Sequence, residues 1–319
     1  MAEAPLTNEQ KKALSILEPK LKSASERRDL EEAKRITLEI QNLLRPTGHE
    51  NRLMFAKNFL FETAMEAGKI DFAIQGLTSI KNKTSSTTRL HLEATTLLAI
   101  CHLRRKNLDA AKPYMIEALK YEKNIKSPTQ RTEFKIALTK RFDEEALLSS
   151  LTTDTKITQN LNQIQSDAGD IIRTKHEDEI LELLGSSVPG GAFEFVEKVH
   201  TESIKCLTYE EKLRLPSPAS FEQKQKIGKG VLSAFQSVIY KSLCDKESEI
   251  YKMWFTNGMQ AVLDKKYLTG AVVSALSGLS IGTYAIAVYL TALLIKIGIE
   301  VFCETHKNQG IMSLRRKRA

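Results

Sequence analysis

A chain of 319 residues with 47 Lys plus Arg against 39 Asp plus Glu carries a net charge of +8, an excess too mild and too unevenly spread to argue by itself for nucleic acid. Proline and glycine are scarce, and alternating β-branched runs are rare before residue 267; this argues against a strand-rich domain, while the length allows two domains with cores of their own. Four scattered cysteines, Cys101, Cys206, Cys244 and Cys303, contain no C-x-x-C pair, which reads as reduced thiols in a cytosol-facing protein and gives no metal signature.

From the N-terminus, Met1 to Pro5 lack a basic region followed by an apolar run, so the body is expected to stay in the cytoplasm. Leu, Ala, Glu, Lys and Gln at 3.6-residue spacing then predict an all-α chain. Breaks are predicted at 45–48, 82–86, 127–128, 185–191 and 216–218, where Pro, Gly, Ser, Thr and Asn collect. Residues 1–126 contain a repeat. The strings beginning Asp29-Leu30-Glu31-Glu32-Ala33, Lys69-Ile70-Asp71-Phe72-Ala73 and Asn107-Leu108-Asp109-Ala110-Ala111 recur about every 40 residues between apolar helices. In the third copy Leu98, Ala99, Ala111, Met115, Ala118 and Leu119 fall where a tetratricopeptide repeat puts its packing residues. This part resembles a degenerate tetratricopeptide array, with the third copy matching best and the first least. Arrays of that kind bind peptides, pack subunits or act as supports, and the fold alone does not choose among these.

A second helical domain is predicted over 127–264. It holds a charged helix around Thr139–Glu145, and its main core is expected over Val231–Phe235, Tyr240–Cys244 and Tyr251–Phe255, where aromatic residues are dense. The six histidines show no H-E-x-x-H and no paired ligand spacing. His176 beside Glu177, Asp178 and Glu179 reads as an acidic helix start that complements the helix dipole. Gly228-Lys229-Gly230 lacks the spacing of a phosphate loop and reads as a flexible helix start. No enzyme, metal or cofactor is predicted. Candidate contacts to an anionic ligand, chosen by local positive charge, are Arg104, Arg105, Lys140, Arg141, Lys224, Lys226 and Lys229.

Residues 265–304 change character. From Tyr267 to Ile295 no side chain is charged over 29 residues. As one helix this would reach roughly 43 Å, more than the ~30 Å hydrocarbon core of a bilayer. A single transmembrane helix is therefore predicted; a helix buried in an oligomer core is the alternative, and a re-entrant bend near Gly278 to Gly282 a variant. Gly270, Ser274, Gly278 and Gly282 recur every fourth residue and predict a flat stripe for close helix packing in lipid, hence a homo-oligomer. Lys296, Glu300 and Glu304 follow at i, i+4, i+8 and are candidate pore-lining residues, or else snorkel at the membrane edge. The basic tail 305–319, with Arg315 to Arg318, suits anionic lipid headgroups.

Three strings, Arg141–Leu147, Tyr240–Asp245 and Leu293–Cys303, resemble membrane effectors of bacterial anti-phage systems that are paired with a nucleotidyltransferase, the Hailong system among them. The resemblance implies an oligomeric ion-conducting pore in the bacterial inner membrane, with its helical body in the cytoplasm. It also implies control by a nucleic-acid oligomer made by the partner enzyme. A membrane-anchored helical-repeat adaptor that conducts nothing is the alternative, and a wholly soluble helical oligomer with its C-terminal helices buried is a third.

Overall fold

The computed structural model describes residues 4–121, 127–152, 160–215, 223–244, 248–264 and 266–305, and all regular structure among them is helical. Contacts divide the chain into one unit of Met1–Thr132 and another of Glu133–Ala319.

The first unit contains α1 (Asn8–Glu26), α2 (Leu30–Leu44), α3 (Glu50–Glu66), α4 (Ile70–Lys83), α5 (Arg89–Arg104) and α6 (Leu108–Leu119). Each helix packs on the next, and α1 on α3 and α3 on α5, so helix pairs stack in sequence order. Thr7 starts α1 with a capping box, its Oγ1 accepting from the Gln10 N–H at 3.2 Å while the Gln10 side chain accepts from Thr7 N–H at 2.9 Å.

The three repeat strings open α2, α4 and α6, and the turns before them are built alike. Arg28, Gly68 and Lys106 each sit in the left-handed region, at φ 58°, 74° and 55°. The following N–H reaches back five residues: Asp29 to Ala24 O at 3.0 Å, Lys69 to Ala64 O at 2.8 Å and Asn107 to His102 O at 3.0 Å. This is the reversal that closes a helix with a left-handed residue. Four residues beyond each such donor, Ala33, Ala73 and Ala111 are fully buried, because a larger side chain would hold the paired helices apart. The first copy is as regular as the third, and Asp29 caps α2 through Glu32 N–H at 3.0 Å. Glu66 ties the turns together, 2.8 Å from Arg104 and 3.4 Å from Arg28, while Arg104 also donates to Met65 O at 3.0 Å.

The second unit holds most of α7 (Pro128–Ser150), then α8 (Leu161–Thr174), α9 (Glu177–Ser186), α10 (Gly190–Ile204), α11 (Tyr209–Leu213) and α12 (Lys224–Cys244). It continues with α13 (Glu249–Asp264), α14 (Tyr267–Gly278), α15 (Tyr284–Ile297) and α16 (Ile299–Thr305). The long uncharged stretch is thus two helices rather than one. Ser280 turns left-handed at φ 55°, and Ile281 N–H bonds back to Leu276 O at 2.8 Å while its side chain is fully buried. Burying Ile281 and placing glycines and serines at 277–282 both favour closing the helix there.

The C-terminal segment does not leave this unit. α15 packs against α8, α9, α14 and α16, and Ile286, Ala287, Val288, Leu290, Ala292, Leu293 and Leu294 are at most 3% exposed. The expected core is there in large part: Val231, Ala234, Phe235 and Leu243 are fully buried and Trp254 packs against this core, whereas Phe255 is 71% exposed and stacks on Tyr251. The four cysteines do not all stay as free thiols either. Cys244 at the end of α12 is disulfide-bonded to Cys303 of α16, while Cys101 is buried and Cys206 half-buried outside that bond.

Candidate functional site

The apolar helices and the groups that hold them form the part of this molecule with the most specific arrangement. α8 lies along them as an amphipathic cover. Its Ile164 and Ala168 are fully buried, and its polar residues reach across. Asp167 accepts from the Tyr284 hydroxyl at 2.7 Å, Gln165 accepts from Thr269 at 3.1 Å and donates to Leu263 O at 2.8 Å, and Asn162 accepts from Lys266. One helix therefore covers the apolar surface of α14 and α15 and also fixes their starts.

α9 and α12 complete the surround, and they cross with backbone on backbone. A Cβ placed on Gly185 would lie 1.8 Å from Lys224 O, and one on Gly228 would lie 1.9 Å from Leu181 O. Gly228 is thus a crossing point inside α12, not a flexible helix start. A glycine within a helix costs about 1 kcal/mol relative to alanine, so its presence there signals a packing demand. That signal was present in the sequence at both positions.

The predicted small-residue stripe is only partly assembled. Gly270, Ser274 and Gly278 share α14, but Gly282 lies in the connection after it. A Cβ at Gly270 or Gly278 would meet nothing within 4 Å, and Ser274 is exposed, so this edge of α14 serves no close approach within the chain. Lys296, Glu300 and Glu304 do not form one helical face. Gly298, at φ 81°, ends α15, and α16 departs at 87°, which puts Lys296 on one helix and the two glutamates on the next. Lys296 donates to Lys175 O, and Glu300 and Glu304 are exposed. No single helix among the described residues is long and apolar enough to cross a membrane. By length and composition the bent pair α15–α16 is.

The candidate ligand cations fall in both units, Arg104 and Arg105 in the first and the other five in the second. Arg104 is committed to Glu66 and Met65, and Arg105 pairs with Asp71. Arg141 is bonded to Glu145 at 2.5 Å. Lys140, Lys226 and Lys229 are exposed, with Lys229 3.9 Å from Asp178, and Lys224 is half-buried. Lys265 and the tail from 306, including Arg315 to Arg318, lie outside the described residues.

α7 carries a polar core that the sequence did not reveal. Asp143 Oδ2 is 2.7 Å from His200 Nδ1, the Ser233 hydroxyl donates to Glu144 at 3.0 Å, and Lys135 pairs with Glu211 at 3.3 Å with both largely buried. Burial raises the Asp143 carboxyl, and the His200 hydrogen bond only partly opposes it. Burial also raises Glu144, against the pull of Arg141 and Ser233. The carboxylate orients the imidazole, but among the described residues no hydroxyl or thiol is hydrogen-bonded to His200, and no group of three or more His, Cys, Asp or Glu is placed to hold a metal. Comparison with protein families, with curated proteins and with solved structures finds no match to this chain.

Proposed function

We propose that this protein is a membrane-acting effector of bacterial anti-phage defence, whose apolar helices are stored inside a helical cover and released into the inner membrane. There they assemble into an oligomeric, ligand-gated ion-conducting pore that depolarises the cell. The first unit acts as a tetratricopeptide-like array that receives the trigger, a nucleic-acid oligomer supplied by a partner nucleotidyltransferase. The observation that carries the reading is the bend at Gly298. Straightened, Tyr284–Thr305 would be a helix of about 33 Å, the thickness of a bilayer core. That same straightening would return Lys296, Glu300 and Glu304 to i, i+4, i+8 on one face, where in an oligomer they would line a shared aqueous path. The open edge of α14 at Gly270, Ser274 and Gly278 supplies a surface on which copies could approach.

The test is expression in cells and reconstitution in planar bilayers. Wild type should depolarise membranes and conduct, and the double variant Glu300→Lys with Glu304→Lys should shift the reversal potential toward anion preference. An inserted oligomer that conducts nothing, with or without DNA and RNA oligomers, would leave the membrane-anchored adaptor in front. The burial of eight of the fourteen residues of α15 favours a second reading, in which it is permanently the core helix of a soluble scaffold. Detergent-free fractionation that leaves all protein in the soluble phase after triggering would select that one.

A further inference from the structure

Three features meet at α16. Gly298 supplies a left-handed hinge at φ 81°, α16 folds back at 87°, and Cys303 is bonded to Cys244 with Cα atoms 5.4 Å apart. Without the disulfide, α16 is held against the unit chiefly by Ile299 and Phe302, the latter packed beside Tyr240 at 6.4 Å between ring centroids. Seven residues with two buried side chains are a weak anchor; a covalent bond to the end of α12 is a strong one. Both cysteines are half-buried rather than sealed in the core, and α16 is exposed around them at Glu300, Val301 and Glu304. An attacking thiolate therefore has access.

We propose that Cys244–Cys303 is a thiol–disulfide exchange site for a dithiol reductant of the thioredoxin class, and that its reduction frees α16 to swing about Gly298 into line with α15. One thiolate of the reductant attacks a sulfur of the pair, the Cys244–Cys303 bond breaks, a mixed disulfide forms and the displaced thiolate takes a proton. The second thiol of the reductant then resolves the mixed disulfide. Two electrons and two protons pass to Cys244 and Cys303, which become thiols, and the reductant leaves as its own disulfide. While the bond is intact, Cys303 cannot leave α12 and α15–α16 cannot straighten. The bond is thus a lock on the membrane-competent shape, and this part of the proposal rests on the membrane reading above.

The experiment uses the full chain purified without reductant. Iodoacetamide on the denatured protein should label two of the four cysteines before dithiothreitol and all four after, with peptide mapping joining Cys244 to Cys303. In native, lipid-free protein, hydrogen exchange at 299–305 should rise by about tenfold or more on reduction, as it would for a segment released from its anchor. Cys303→Ser should reproduce that rise without reductant. If this variant fails to fold by circular dichroism, reduction of the wild type gives the same readout. Four labelled cysteines in the oxidised sample, or exchange at 299–305 unmoved by reduction, would overturn the lock. Flotation with vesicles of phosphatidylethanolamine and phosphatidylglycerol separates the two ideas. Loosening followed by vesicle binding supports both, loosening without binding supports the lock and overturns the membrane reading, and binding without loosening overturns the lock.

Discussion

In the first unit three turns share one hydrogen-bond pattern and one buried alanine, whereas the second unit uses that reversal once, after α14, and relies on other devices elsewhere. There a glycine crossing joins α9 to α12, a disulfide joins α12 to α16, and a left-handed serine separates α14 from α15. The contrast continues in the charges. Glu66 gathers two arginines, Arg28 and Arg104, whereas in the second unit Asp143 and Glu144 sit half-buried beside a histidine and a serine, and desolvation raises both. A repeated local device makes a support whose parts resist change together. A set of single devices makes a body in which one contact can be undone while the rest stand, as a region that changes state requires.

The largest effect is expected from enlarging a packed glycine of the second unit, set against an open one in the same unit. Gly228→Ala drives a methyl into the Leu181 carbonyl and should cost about 3 kcal/mol or more, seen as early urea unfolding of the second unit with amide protection in α2–α6 unchanged. Gly270→Ala, with open space around it, should instead gain about 0.5–1 kcal/mol from helix propensity. An equal response at the two sites would remove the distinction between packed and open glycines.

A smaller loss is expected in the first unit from Glu66→Gln. It leaves the guanidinium groups of Arg28 and Arg104 with an amide in place of a carboxylate and should cost about 1–2 kcal/mol, spread over all three turns by hydrogen exchange. Loss confined to the α3–α4 turn would mean that the turns are independent.

The smallest effect is in pH, and the two units should differ in its sign. Burial alone would raise Glu117, but hydrogen bonds from His91 and Lys81 outweigh it and hold its carboxyl below the ordinary 4.5. Its contribution to the first unit is complete above 4.5 and is lost as pH falls through the lowered value. Asp143 and Glu144 are raised above 3.8 and 4.5, so their contribution is complete below those values and is lost as pH rises through the raised ones. Lowering the pH from neutral toward 4.5 should therefore tighten the second unit and loosen the first, where burial holds His102 below its ordinary 6.5 so that the folded state takes up its proton less readily than the unfolded chain, as local hydrogen exchange would report. In the double variant Asp143→Asn with Glu144→Gln the tightening should disappear.

The sequence was readable where structure is made by near neighbours. The strings at Asp29, Lys69 and Asn107 mark their turns because capping, reversal and the buried alanine all fall within a few residues. The uncharged run from Tyr267 to Ile295 was read as one helix because a segment apolar on all sides has no periodicity to mark a break. Its end is set by where Ile281 finds a place in the core. Aromatic density around Trp254 gave residue type but not direction, and Phe255 points outward. The Cys244–Cys303 bond spans 59 residues and leaves no local pattern. Charge marked Arg104, Arg105 and Arg141 as ligand contacts, yet a cation in the sequence looks the same whether its partner is a phosphate or a nearby carboxylate.

The crossing of α9 over α12 has a consequence in the gene as well as in the protein. Every missense change in a glycine codon adds at least a Cβ, and at Gly185 or Gly228 that atom arrives against a carbonyl. No compensating side-chain change can make room, because the obstacle is main chain. Drift through neutral intermediates is thus closed at these two codons, while a neighbouring surface codon such as that for Glu182 remains free to wander.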